Sequence, residues 1–151
     1  MKRAARTSGS EKPVHRAVLP SLRPRTGRIL VVNTDPYDRL QLESTLLGHG
    51  YTVVSASSFK QASSLLEEIP VDLVVTSLQL GAFNGLHLAV RSQWSDPRRV
   101  VIVTVDVDDL TVRDQAEALG VRYVVRPLEN AEFLACVELA LYGSHYTNLT
   151  A

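Results

Sequence analysis

The strongest constraint in this sequence is an alternation that repeats five times. Short, near-continuous apolar runs rich in β-branched residues occur at RILVV (28–32), YTVVSA (51–56), VDLVVTS (71–77), RVVIVTV (99–105) and VRYVVRP (121–127), and each is followed by a stretch with helical apolar spacing. Runs of that length without a polar face suit strands covered on both sides. Strands separated by helices lie parallel, and right-handed crossovers then wind the chain on both faces of one sheet. The expected fold class is α/β, a doubly wound five-stranded parallel sheet of the (βα)5 kind.

The punctuation agrees with that reading. Asp35 before Pro36 is an N-cap with proline at the first helical position, and Gly50 suits the left-handed position that ends a helix. Leu40, Glu43 and Leu47 mark one stripe of this first helix, widened by Leu46. Ser58 with Gln61 forms a capping-box pattern and opens a helix with Phe59, Ala62, Leu65 and Leu66 at core spacing. Gly81 and Gly85 bracket a loop, after which Leu86, Ala89 and Val90 line a short helix running toward Trp94. Residues 108–120 form a helix ending at Gly120, and 129–143 form the last one, with Phe133, Val137 and Leu141 on one face and Leu134 beside it.

The 151 residues suit one domain with flanking sequence. The formal charge of zero hides an asymmetry: residues 1–28 carry eight basic side chains against Glu11 alone, a net +7, and the remaining 123 carry eight basic and fifteen acidic, a net −7. Residues 1–27 are expected to be a disordered basic tail, 28–143 the folded domain and 144–151 a loose end. One cysteine, Cys136, excludes an internal disulfide framework and reads as a helix core residue. No apolar run approaches the ~20 residues of a membrane span, and the basic N-terminus lacks the apolar core of a secretory signal. A cytoplasmic location is expected.

In a doubly wound sheet the ligand crevice lies at the carboxyl ends of the strands. Those ends carry Asn33, Thr34 and Asp35; Ser77; Thr104; and Arg126. "NTDPYD" (33–38) contains no glycine, which argues against a phosphate-cradling loop for a nucleotide or flavin. None of the four histidines, His15, His49, His87 and His145, falls at a strand end, and each reads as a surface residue.

Four segments in order, ILVVNTDP, DLVVTSLQLGAFNGL, VVIVTV and RYVVRPL, resemble the motifs of response-regulator receiver domains, which are CheY-like and share a flavodoxin-like fold. The resemblance covers residues 28 to about 142. It implies a stand-alone receiver in two-component phosphorelay signalling, whose relatives phosphorylate an aspartate at the end of the third strand. In those relatives an acidic pair on the first strand helps hold Mg²⁺, and a hydroxyl and a lysine contact the phosphoryl oxygens. Here the phosphoacceptor position is Ser77, the acidic pair Asn33 and Thr34, and the lysine Arg126; the hydroxyl, Thr104, is retained.

Neutral oxygens bind Mg²⁺ poorly, and a serine hydroxyl needs a base where a carboxylate does not. Asp72 starts the third strand and lies at the wrong end of the sheet to replace the nucleophile. Asp35 reads mainly as a helix cap, and Arg126 reads as a structural or solvated arginine, with attraction of an anion or an ion pair with Asp35 or Asp106 as the alternatives. The resemblance therefore implies a pseudo-receiver with no bound cofactor, no enzymatic activity and phosphorylation-independent protein–protein interaction. Tyr123 stands where the family keeps an aromatic that swings with the retained hydroxyl. The expected partner is a signalling protein, a histidine kinase or another regulator, at the face of the fourth helix, fifth strand and fifth helix: Val112, Gln115, Arg122, Tyr123 and residues near Glu132. A homodimer through that face is a further possibility. The alternative is nucleic-acid or anionic-surface binding through the basic tail, residues 1–27.

Overall fold

A computed structural model describes residues 27–143. The readings for residues 1–26 and 144–151, including His15, His145 and nucleic-acid binding by the tail, lie outside the described residues. The elements are β1 (Arg28–Val32), α1 (Pro36–Gly48), β2 (Thr52–Ala56), α2 (Phe59–Glu68), β3 (Leu73–Ser77), β4 (Gln79–Leu80), β5 (Phe83–Asn84), α3 (Gly85–Ser95), β6 (Val100–Val105), α4 (Leu110–Ala118), β7 (Arg122–Val125) and α5 (Asn130–Glu138), which passes into a π-helical turn at Leu139–Gly143.

Five strands form one parallel sheet in the order β2-β1-β3-β6-β7, while β4 and β5 make a separate antiparallel ribbon. Alternate side chains on each strand face opposite layers. Leu30, Val32, Val74, Val101, Val103 and Val105 pack with Ala62, Leu66, Leu86, Ala89 and Ala116 from α2, α3 and α4. Ile29, Val31, Leu73, Val75 and Ile102 pack on the other face with Leu46 of α1 and with Phe133, Val137 and Ala140 at the C-terminal end. Both layers exclude water almost fully, which is why the three central strands read as unbroken apolar runs.

The caps follow the sequence reading with one difference. Asp35 accepts from Tyr37 N–H at 2.9 Å, and Gly50 and Gly120 adopt φ of +93° and +72°. Ser58 Oγ accepts from Gln61 N–H at 3.1 Å, but the Gln61 side chain returns to Ser57, accepting from its N–H at 2.8 Å rather than from that of Ser58. Two helix faces are corrected. Leu40 and Leu47 are 61% and 57% exposed, and the buried edge of α1 is Leu46 with Leu42 beside it. On α3, Val90 points outward, and the buried set is Leu86, Leu88, Ala89 and Ser92. In both helices several apolar residues surround the axis, so spacing alone does not single out the side that the sheet covers. β2, β3 and β7 also begin one or two residues later than their apolar runs, because Tyr51, Val71 and Val121 are buried by packing before ladder pairing starts.

Arg99 departs further from its reading as a strand residue. It is buried just before β6, where its guanidinium donates to the Val71 carbonyl at 3.0 Å and to the Ser92 carbonyl at 3.2 Å. It ties the C-terminal end of α3 to the chain entering β3.

Candidate functional site

An open cleft of about 460 Å³ lies over the carboxyl ends of β1, β3 and β6. It brings together Asn33, Thr34, Ser77, Thr104 and Arg126, with Asp35, Asp38, Asp106 and Asp109 around them. The parallel register makes this convergence: Ser77 pairs with Thr104, and Asn33 follows β1 and donates its backbone N–H to Ala56 at 3.1 Å.

Asn33, Ser77 and Arg126 are each engaged locally. Asn33 is 4% exposed, and its Oδ1 accepts from Asp35 N–H at 2.9 Å. Its backbone carbonyl accepts from Arg39 Nη1 at 2.7 Å. Ser77 Oγ donates to the Gln79 carbonyl at 3.1 Å, closing a turn within its own loop. Thr104 is 4% exposed and borders both this cleft and a smaller cavity of about 160 Å³ between α1 and α5. Arg126 pairs with Asp38, not with Asp35 or Asp106: Nη1 lies 3.2 Å from Asp38 Oδ2, with both side chains about three-quarters buried. Asp38 lies one helical turn past the Asp35 cap and therefore faces the same crevice, which its position in the first turn of the helix could have signalled.

Gly85 closes the floor. A Cβ built there would lie 2.6 Å from the Ser77 carbonyl oxygen, so the start of α3 sits against the end of β3 only because residue 85 has no side chain. Asn84 caps α3 by accepting from His87 N–H at 3.0 Å, and His87 Nδ1 accepts in return from Asn84 N–H. His87 is thus a capping residue, and Asp72, at the far end of β3, accepts from Arg28 N–H at 2.9 Å.

Tyr123 lies outside the cleft. It pairs with Val103, one residue before Thr104, and packs on the layer formed with α2, α3 and α4. Its side chain therefore leaves the sheet on the face opposite to that of Thr104. The phenol oxygen donates to Asp108 Oδ1 at 2.9 Å and accepts from Asp109 N–H at 2.8 Å, while the Arg113 guanidinium sits 4.7 Å from the ring centre. Hydrogen bonds from Arg113 and Tyr123 hold the Asp108 carboxyl below its ordinary value. Desolvation, reinforced by Asp108, raises the Tyr123 phenol above its own. The sequence reading missed this Asp108–Arg113–Tyr123 group because its members meet only when α4 packs beside β7.

Among the described residues no group of three or more His, Cys, Asp or Glu is arranged to hold a metal ion, and no helix is long and apolar enough to cross a membrane. On the α4 side of the cleft, Val107 and Leu110 are 77% and 72% exposed.

The response regulator receiver domain family matches residues 29–138. The alginate biosynthesis transcriptional regulatory protein AlgB of Pseudomonas aeruginosa is 36% identical over 104 residues, covering 68% of this chain and 23% of that protein. The transcriptional regulatory protein AfsQ1 of Streptomyces coelicolor is 29% identical over 101 residues, covering 67% of this chain and 45% of the relative. The chain thus spans less than half the length of these relatives. The signal receiver domain of an HD domain-containing protein from Pseudomonas fluorescens superposes with a TM-score of 0.74 at 28% identity, over 80% of this chain and 98% of that one. A CheY-like receiver from Methanospirillum hungatei gives a TM-score of 0.76 at 18% identity, over 82% and 98%. With sheet order, site position and sequence in agreement, the chain belongs to the response regulator receiver domain family of two-component signalling.

Proposed function

We propose that this receiver domain is a pseudo-receiver, which signals through protein contacts without accepting a phosphoryl group at the strand-end cleft. The observation that carries the reading is the local engagement of the phosphoacceptor position Ser77 and of Asn33, the buried member of the acidic-pair positions. Ser77 Oγ is bonded to the Gln79 carbonyl, and Asn33 Oδ1 to the Asp35 N–H. Neither histidine among the described residues hydrogen-bonds to Ser77 or lines the cleft: His87 caps α3 and His49 caps the end of α1. Phosphoryl transfer to a hydroxyl needs a base.

The donor set does not fit Mg²⁺. A hard dication takes carboxylates and retained waters, whereas Asn33, Thr34 and Ser77 are neutral. Of the cleft carboxylates, Asp38 already faces the Arg126 guanidinium, Asp35 and Asp109 each spend one oxygen on a helix cap, and Asp106 lies at the rim outside any metal-holding group among the described residues. On this reading the domain holds no cofactor and catalyses no reaction of its own.

Its partner is a signalling protein, a histidine kinase or another regulator. The docking face is made by α4, β7 and α5, where Gln115 and Glu132 are exposed and Val112, Arg122 and Tyr123 are half-buried. Exposed Val107 and Leu110 extend this face at the start of α4. Intact-mass measurement after incubation with Mg²⁺ and acetyl phosphate tests the proposal, with an aspartate-bearing receiver alongside. No added phosphoryl mass on this chain, with a gain on the control, is the expected result. A gain on Ser77 or Asp35 would sink the reading.

A further inference from the structure

We propose that the cavity between α1 and α5 is a binding site for a small organic monocarboxylate, one ring or one branched chain in size, whose carboxylate is held by Arg126. The inference goes beyond the pseudo-receiver reading and does not depend on it, because Ser77 does not line this cavity.

The cavity holds about 160 Å³ and is separate from the strand-end cleft. Its floor comes from the sheet. Thr104 and Val124 are register partners on β6 and β7, and both side chains leave the sheet toward the layer of α1 and α5. Leu42 forms an apolar wall on one side, and Leu128 and Phe133 form the other. In this setting Thr104 is 4% exposed, and its hydroxyl makes no hydrogen bond among the described residues. Buried polar groups without a partner are rare in native proteins. A single bridging water fills about 30 Å³, a small part of the space beside it.

Size and polarity define the ligand. A cavity of about 150 Å³ lined by aliphatic and aromatic side chains accepts benzene, so this one takes a six-membered ring or a branched chain of similar bulk. The polar end is Arg126. A guanidinium carries five N–H donors, and among the described residues only Nη1 is engaged by a side chain, Asp38 Oδ2 at 3.2 Å. A planar carboxylate matches a guanidinium edge with two parallel hydrogen bonds and offers the Thr104 hydroxyl an acceptor. A hydrocarbon would leave these donors unmatched. A phosphate would bring a second negative charge beside Asp38 against one cation. An amine would find Asp38 already paired.

Thr104, Asp38 and Arg126 line the strand-end cleft as well. A carboxylate that shares the guanidinium loosens the Arg126–Asp38 pair, and both openings feel the change. Occupancy then biases the domain by as much as the ligand prefers one arrangement of that pair, an input that needs no phosphoryl group.

Titration of the ¹⁵N-labelled full chain with benzoate tests the site, with benzyl alcohol as an uncharged ligand carrying the same ring. Benzoate should shift the amides of 38–45, 104 and 124–133 saturably, with a Kd on the order of 1 mM, the strength that about nine heavy atoms sustain. Arg126→Gln should weaken benzoate roughly tenfold or more, as loss of a charge-assisted hydrogen bond does, and leave benzyl alcohol nearly unchanged. Asp38→Asn removes the competing carboxylate and should tighten benzoate alone. Thr45→Leu enlarges a lining residue and should abolish binding of both ligands. The Thr45 hydroxyl bonds back along its own helix to the Gln41 carbonyl, and leucine is a good helix former, so that variant keeps its fold. Asp38→Asn and Thr45→Leu therefore answer the question even if Arg126→Gln unfolds. No saturable shift far above that concentration, shifts centred on 33–35 and 77–79, equal loss of both ligands in folded Arg126→Gln, or weaker benzoate binding in Asp38→Asn would overturn the site. A phosphoryl gain on Ser77 in the mass experiment would remove the pseudo-receiver reading and leave this site standing, so the two fail separately.

Discussion

Gly85 is held to glycine by its neighbour. Its backbone is not left-handed, but an added Cβ would meet the Ser77 carbonyl at 2.6 Å, a backbone atom that cannot swing aside. Gly85→Ala should therefore destabilise the domain by about 1–3 kcal/mol, the usual cost of overpacking. Urea unfolding reads this directly, and an unchanged midpoint would mean that α3 slides freely on β3. The Asp108–Arg113–Tyr123 group carries the clearest pH signature. The folded state holds Asp108 below its ordinary 3.8, so its contribution is present above that value and is lost as pH falls through the lower folded one. Tyr123 is shifted the other way. Its contribution is complete below 10.0 and is lost as pH rises through the higher folded value. A ¹³C titration of the Tyr123 ring should give a midpoint above 10.0, and Asp108→Asn should lower it while leaving the part due to desolvation. A midpoint that does not respond to Asp108→Asn would show that the 2.9 Å hydrogen bond does not persist in solution.

At the scale of elements, α1 separates intrinsic pattern from tertiary choice. It carries leucines at 40, 42, 46 and 47, and only Leu46 is fully buried. Leu46→Ala should cost about 2–5 kcal/mol, as truncation of a closed core site does. Leu40→Ala and Leu47→Ala should stay within about 0.5 kcal/mol, as exposed substitutions do. Thermal or urea denaturation of the three variants distinguishes the sides of the helix, and equal losses would mean that Leu40 and Leu47 are buried by something besides this domain. The helix caps were legible because Asp-Pro, Ser-x-x-Gln and Gly act within a few residues of themselves. The role of Arg99 was not. Its partners, Val71 and Ser92, belong to two other elements, and no spacing within RVVIVTV points to them.

At the scale of the molecule, the site is a property of several strand ends together. Reinstating one carboxylate should not reinstate its chemistry, because a nucleophile without a metal clamp leaves the developing phosphoryl charge unmatched. Ser77→Asp alone should gain no phosphoryl mass from acetyl phosphate. The fourfold variant Asn33→Asp, Thr34→Asp, Ser77→Asp and Arg126→Lys should gain it in Mg²⁺. In Mg²⁺-free buffer its crowded carboxylates should also lower its melting temperature, with recovery when the ion is added. If the single variant is phosphorylated as readily as the fourfold one, the loss of the acidic pair does not matter. The sequence alone determined the α/β class, the five-fold repeat, and the approach of Asn33, Thr34, Ser77, Thr104 and Arg126, because apolar period and strand direction are written locally and parallel strands must present their carboxyl ends on one side. It did not determine that Arg126 takes Asp38, that Thr104 and Tyr123 leave the sheet on opposite faces, or that Gly85 seals the floor beneath Ser77. Those are contacts between elements, set by strand register and helix placement to within a few ångströms, and residues far apart in the chain carry no mark of that distance until the layers close.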